Sequence, residues 1–233
     1  MQEIQLMEDK IWYLKSINVL KNLSEPQRMK LGSYCSMTNF KQGELIYLPG
    51  DLKNIYFLKK GSIKLVTQKS NGEEIIKDVL EKGEIMGKCF GGENEELNEE
   101  AVALEDSMVC YLSYENWQEF LNENLDLSLS ILKWTGLRIK RLERRIDTLY
   151  FKPTTERVKD ILADLAKRLG KKDPISGNII IPIHLTHEEL GQLTGCSRQN
   201  VTAILNEMRE KDFIEYTRNK LIIRKAIEEF SLH

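Results

Sequence analysis

Histidine is almost missing from this chain. There are three, His184, His187 and His233, and residues 1–183 hold none. A histidine-ligated haem or metal is therefore excluded from the N-terminal part. Cysteine is sparse too: Cys35, Cys89, Cys110 and Cys196 never fall into a Cys-x-x-Cys pair, which suits neither a zinc site nor a disulfide framework. They read as small core residues, with a thiol switch at Cys89 or Cys110 as the alternative. The first 34 residues contain no cysteine, which excludes an N-terminal cluster of iron–sulfur ligands. No run approaches the roughly 18 uncharged apolar residues of a membrane span. The first residues mix acidic, basic and apolar types and lack the layout of a signal peptide. The expectation is a cytoplasmic protein with no membrane partner. Strong charge is absent as well: the net charge is -2. A weak asymmetry exists, since residues 151–233 carry net +2 and the remainder net -4. No nucleophile–base pair, metal cluster or phosphate loop has a usable spacing, so we expect no enzyme activity and no cofactor.

What is present falls into three stretches: 1–114, 115–150 and 151–233. In the first, short strands are punctuated by turns. Leu45-Ile46-Tyr47-Leu48 closes at Pro49-Gly50-Asp51, and Ile55-Tyr56-Phe57-Leu58 closes at Lys60-Gly61. Ile63 to Thr67 runs into Asn71-Gly72, a strong hairpin signal, and Glu74 to Leu80 and Ser107 to Leu112 continue the pattern. Strands at this spacing suggest an antiparallel barrel or roll.

From Glu115 the period turns helical. Leu132, Thr135, Ile139, Leu142, Ile146 and Leu149 alternate spacings of three and four, the a/d seam of a coiled coil. The flanks, Arg138, Lys140, Arg141, Glu143, Arg144 and Arg145, are charged. A seam this narrow favours a homodimer over a helix packed only on its own domain. Phe151-Lys152-Pro153 ends the helix. Thr155 to Leu169 forms a further amphipathic helix closed by Gly170, and Asn178 to Ile183 reads as a strand.

The most informative segment is Thr186 to Met208. Thr186 and Glu189 have the spacing of a capping box, Gly195 supplies a tight turn, and Ser197 caps a second helix. Val201, Ile204, Leu205 and Met208 share one face. Arg198, Gln199, Asn200, Thr202 and Ala203 are left near its outer N-terminal end. Arginine can pair bidentately with guanine, and glutamine or asparagine with adenine; Ser197 and Thr202 can bond phosphates. Phe213 to Tyr216 and Leu221 to Ile223 flank Thr217-Arg218-Asn219-Lys220, a hairpin with a basic tip. Helix, turn, helix, hairpin is the order of a winged helix-turn-helix.

Together these residues resemble the Crp/Fnr family of bacterial transcription regulators, over roughly Leu20 to Arg224. The likeness is carried by Leu185 to Leu205 and by Lys41-Gln42-Gly43-Glu44, Gly50-Asp51, Lys60-Gly61 and Lys82-Gly83-Glu84-Ile85-Met86-Gly87. The resemblance implies an α+β chain: an N-terminal antiparallel β-roll of the cyclic-nucleotide-binding kind (a double-stranded β-helix), a long dimerisation helix, and a C-terminal winged helix-turn-helix. It implies a homodimer on two-fold symmetric double-stranded promoter DNA, with RNA polymerase as a further partner. Thr186, His187, Ser197, Arg198, Gln199, Asn200 and Thr202 become the candidate DNA contacts. Arg198 falls on the family's guanine-reading arginine. Gln199 stands where glutamate is usual, Ala203 where arginine is usual, and His187 where an arginine often touches the backbone. The resemblance also implies an effector pocket at Gly87, Lys88, Cys89, Asn98 and Glu99. There Lys88 replaces the usual glutamate, and Gly91 to Ala101 holds five glutamates and no basic residue to meet a phosphate. Ordinary cyclic-nucleotide binding is thus not expected. The acidic stretch reads as a solvated turn, and the effector is either a non-standard small molecule or absent.

Overall fold

The computed structural model describes residues 17–49, 53–69, 74–87, 98–182, 185–217 and 220–224. The Gly50-Asp51 and Asn71-Gly72 turns, Lys88, Cys89, residues 91–97 and the wing-tip pair Arg218-Asn219 lie outside these. Two compact units emerge: Met1–Gln68 with Val79–Arg141, and Lys69–Asp78 with Leu142–His233.

Among the described residues, the first unit opens with a short 3-10 turn, Asn18–Leu20, and helix α1 (Glu25–Tyr34). The strands are β1 (Ser36–Phe40), β2 (Leu45–Tyr47), β3 (Asn54–Lys60), β4 (Ile63–Gln68), β5 (Glu74–Leu80), β6 (Ile85–Gly87), β7 (Glu100–Ala103) and β8 (Ser107–Ser113). They form two sheets, in the orders β1-β8-β3-β6 and β2-β7-β4-β5. The pairings β1–β8, β3–β8, β3–β6, β2–β7 and β4–β7 are antiparallel. Strand β3 explains why its sequence is a continuous apolar run. Tyr56 and Leu58 join a core shared by both sheets, with Leu65, Ala101 and Val109. Ile55 and Phe57 face the other way, into a core with Leu31, Trp117, Phe120 and Ile131. A strand covered on both faces cannot alternate with polar residues. The rings of Phe57 and Trp117 meet edge to face at 5.6 Å.

Three elements differ from the sequence expectation. β1, Ser-Met-Thr-Asn-Phe, escapes notice because it is a half-exposed edge strand without an apolar alternation. β7 corrects only the end of the stretch read as a solvated turn, Glu100-Ala101, since residues 91–97 lie outside the described residues. Glu100 is only 8% exposed, and its carboxylate accepts from Gln68 Nε2 at 2.9 Å. The helical stretch after β8 is two helices, α2 (Tyr114–Glu123) and α3 (Leu125–Phe151). Asn124 breaks them: its side-chain amide donates to Phe120 O at 2.7 Å, while its own carbonyl accepts from Leu127 N and Ser128 N.

In the second unit, Pro153 ends the long helix and α4 (Thr154–Leu169) follows. Gly170 closes α4, but with extended backbone rather than a left-handed cap. Glycine is required for space: a Cβ would lie 2.2 Å from Ala166 O and 2.4 Å from Ile179 Cγ2. Then come β9 (Lys171–Lys172), β10 (Ile179–Ile181), α5 (His187–Thr194), α6 (Arg198–Glu210), β11 (Ile214–Thr217) and β12 (Lys220–Ile223). The strands are ordered β11-β12-β10-β9. The leg of β5 up to Asp78 groups with this unit. Ile76 N donates to Gln192 Oε1 at 3.1 Å, Arg145 donates to the carbonyls of Ile76 and Lys77, and Arg168 lies 3.9 Å from Asp78. Among the described residues no helix is long and apolar enough to cross a membrane.

Candidate nucleic-acid interface

The site is two helices, α5 and α6, capped and joined by local chemistry. α5 starts at a complete capping box: Glu189 N donates to Thr186 Oγ1 at 3.1 Å, and Thr186 N donates to Glu189 Oε2 at 2.8 Å. α5 ends at Gly195, whose φ of +62° is the left-handed conformation that glycine adopts without steric cost. Its last carbonyls, Thr194 O and Gly195 O, accept from Arg157 Nη1 at 3.1 and 3.4 Å. A cation there also meets the negative end of the helix dipole. Sequence reasoning missed Arg157, because an arginine in the first turn of α4 carries no local signal for a contact 37 residues ahead.

The turn is tight. Cys196 N donates to Gly191 O at 2.9 Å, and a Cβ on Gly191 would sit 2.6 Å from Cys196 O. Ser197 then caps α6, accepting from Asn200 N at 3.2 Å. Because that hydroxyl accepts, its own hydrogen remains to give to a phosphate. Val201, Ile204, Leu205 and Met208 are buried, which pins the inner face of α6. Ser197, Arg198, Gln199, Asn200 and Ala203 are exposed together on the outer face. That face presents a guanidinium, two carboxamides and a hydroxyl, the donor and acceptor set that base edges and phosphates require.

His187 is half-buried at the first position of α5. Its Nδ1 lies 2.8 Å from Thr202 Oγ1, and its ring meets Tyr216 of β11 edge to face at 5.4 Å. Burial, with Glu189 nearby, pushes the Tyr216 phenol up to about 12.

The two halves of the chain match two family models. Residues 37–124 match a cyclic nucleotide-binding domain and residues 156–228 a Crp-like helix-turn-helix domain, together more than half of the chain. A global nitrogen regulator from a Nostoc species is 29% identical over 191 residues, covering 81% of this chain and 85% of that protein. The chain belongs to the Crp/Fnr family of transcription regulators. A cAMP-activated global regulator, CRP, from Pasteurella multocida is 25% identical over 184 residues, covering 78% of this chain and 87% of that protein. The fold is shared with the c-di-GMP-responsive regulator CLP from Xanthomonas campestris, with a TM-score of 0.71, 17% identity, and 86% and 99% of the two chains covered. These relatives are regulators, not enzymes. This Crp/Fnr protein therefore carries, after a cyclic-nucleotide-binding-type roll in chain order, a DNA-binding helix-turn-helix.

The other expected site residues are placed as follows. In the roll, Gly87 ends β6 at φ +88°, with room for no side chain: a Cβ would lie 2.6 Å from Asn54 O. Asn98 is exposed, and its carbonyl accepts from Thr67 Oγ1 at 2.9 Å. Glu99 accepts from Tyr47 OH at 2.8 Å, and the Tyr47 ring stacks on that of Tyr56. Lys88 and Cys89 fall outside the described residues. Cys35 and Cys110 are buried and Cys196 half-buried. Among the described residues no group of three or more His, Cys, Asp or Glu could hold a metal ion. On α3, the apolar seam residues Leu132, Ile139, Leu142, Ile146 and Leu149 are 39–67% exposed in the single chain. Thr135 is half-buried, and its hydroxyl donates to Ile131 O at 3.0 Å.

Proposed function

We propose that this regulator works in the cytoplasm as a homodimer, reads a two-fold symmetric promoter site through α6, and activates transcription by touching RNA polymerase. The observation that carries the reading is the outer face of α6. Arg198, Gln199 and Asn200 stand exposed at the start of a helix whose opposite face is buried. Arg198 reads a guanine, Gln199 and Asn200 supply amide contacts, and Ser197 and His187 address the backbone. Gln199 in place of a carboxylate shifts the preferred base away from cytosine. The exposed seam from Leu132 to Leu149 supports the homodimer, since such a stripe is covered by a second copy in a symmetric pair. On this view residues 1–114 sense, 115–150 pair and 151–233 bind DNA. Arg198→Ala should cost about 1–3 kcal/mol of specific binding and relax selectivity at one base pair. Unchanged binding to a selected site would remove α6 from the reading role.

A second reading concerns the roll. Gly87 has a left-handed backbone, φ +88°, yet residues 91–101 hold no Lys or Arg to meet a phosphate, and Glu99 is engaged by Tyr47. This supports an effector other than an ordinary cyclic nucleotide, or none. Thermal-shift measurements with cAMP, cGMP and uncharged metabolites test it; a stabilisation saturating with cAMP at micromolar concentration would overturn it.

A further inference from the structure

The contact between His187 and Thr202 joins the two helices of the motif, and its hydrogens can be placed by elimination. Thr202 Oγ1 lies 2.8 Å from Arg198 O. Two oxygens come that close only with a hydrogen between them, and a carbonyl has none, so the Thr202 hydroxyl donates to Arg198 O. That spends its only hydrogen. Thr202 Oγ1 also lies 2.8 Å from His187 Nδ1, and this approach too needs a hydrogen. It must come from the ring, so Nδ1 carries the hydrogen and donates. The chain His187 Nδ1–H to Thr202 Oγ1–H to Arg198 O runs from the first turn of α5 to the reading end of α6. The imidazole also meets the ring of Tyr216 of β11 edge to face. Three elements therefore meet at one side chain.

We propose that His187 and Thr202 are a positioning bridge that sets the orientation of Arg198 and its neighbours, and that Thr202 is not itself a DNA contact. A phosphate oxygen only accepts, and Thr202 has no hydrogen left to give it. The hydroxyl instead holds the carbonyl of the residue whose side chain faces the bases. Rotation of α6 about its axis would break the His187–Thr202 bond first, because that bond is lateral to the helix. The bridge also survives a change of charge on the ring. Nδ1 bears a hydrogen in this neutral tautomer and in the imidazolium, and any added proton goes to Nε2. The ionisable residues adjacent to the bridge in sequence or in ring contact are Glu188 and Glu189 on its own helix, Arg198 one turn before Thr202 on α6, and Tyr216 on β11, whose ring meets the imidazole. None of them need change for the bridge to persist.

The inference rests on α6 being the reading helix, and the test separates the two. On the full chain, with a site recovered by selection, the ratio of specific to nonspecific affinity is measured for His187→Phe, Thr202→Val and the double variant. His187→Phe keeps a ring against Tyr216 and removes the donor; Thr202→Val keeps the shape and removes the hydroxyl. Each single variant should lower the ratio ~3- to 10-fold, the scale of one net hydrogen bond. The double variant should fall no further than the worse single one. His187→Asn, which retains a donor at the δ position, and Thr202→Ser should both recover most of the loss. Nitrogen-15 spectra of the imidazole at neutral pH should show the hydrogen on Nδ1 of His187. Additive losses, a Thr202→Ser variant that fails to rescue, or a hydrogen on Nε2 alone would overturn the bridge while leaving the reading helix intact. An Arg198→Ala control that changes nothing would overturn the reading helix and the bridge with it.

Discussion

Gly191→Ala should damage this protein although it puts the best helix-forming residue into a helix. In an unconstrained helix the exchange would gain about 1 kcal/mol. Here the new Cβ would sit 2.6 Å from Cys196 O and 3.6 Å from Arg198 N. Contact between a carbon and its neighbours relaxes only near 3.5 Å, so the turn would have to open by roughly an ångström. It cannot do so freely. Cys196 N is bonded to Gly191 O at 2.9 Å, and Gly195 fixes the backbone at φ +62°. Overpacking of this kind costs about 1–3 kcal/mol, and straining the turn hydrogen bond about 1 kcal/mol more. The net expectation is a loss of about 1–3 kcal/mol from the second unit after the helix gain of about 1 kcal/mol is subtracted. In a unit of this size each 1 kcal/mol moves Tm by roughly 4–8 °C, within easy reach of calorimetry. Specific DNA affinity should fall in parallel, because the displaced segment leads directly into Arg198. Gly195→Ala is the comparison. It pays the left-handed penalty of about 1–2 kcal/mol, but its Cβ meets the movable end of Leu149 at 2.8 Å rather than backbone. It should therefore disturb DNA binding less than Gly191→Ala. A Gly191→Ala variant that melts higher than the parent with unaltered DNA affinity would refute the close approach.

Arg157→Met removes the cation from the carbonyls of Thr194 and Gly195, and should cost about 1–2 kcal/mol with a matching rise in amide exchange at the end of α5. The Tyr216 phenol is held neutral by burial, so its contribution to stability is complete below pH 10 and is lost as pH rises toward about 12. Alkaline unfolding should show this loss, and Tyr216→Phe should remove it; an identical profile in both proteins would contradict the assignment. Arg141 Nη2 lies 2.9 Å from Glu84 Oε1, whose side chain is 8% exposed. Arg141→Ala leaves that carboxylate buried and should destabilise the first unit by about 3 kcal/mol in urea titrations, whereas a surface arginine would cost almost nothing.

What could be read in the sequence was local. The capping box of Thr186 and Glu189, the cap at Ser197 and the turn at Gly195 act over three or four residues, so spacing alone reveals them. Strand β3 was legible for a related reason: burial on both faces leaves an unbroken apolar run. The edge strand β1 left no such trace, and β7 was hidden because Glu100 is buried through a partner, Gln68, on another strand. The leg of β5 that groups with the DNA-binding unit was equally invisible. Its partners Gln192, Arg145 and Arg168 are distant in sequence, and neither the helix-turn-helix pattern around Gln192 nor the seam pattern around Arg145 signals a contact with β5. Among the site residues, sequence chemistry could list Thr202 as a phosphate donor. Only the geometry shows that its hydrogen is already given to Arg198 O.

Selection from a random pool tests directly whether α6 reads DNA through Arg198. The full chain should enrich a two-fold symmetric site with a guanine at a fixed place in each half. The Arg198→Ala variant should lose the preference at that pair and bind the enriched site about ten times or more weakly. If no sequence is enriched, or if Arg198→Ala enriches the same site with equal affinity, the assignment of α6 is wrong.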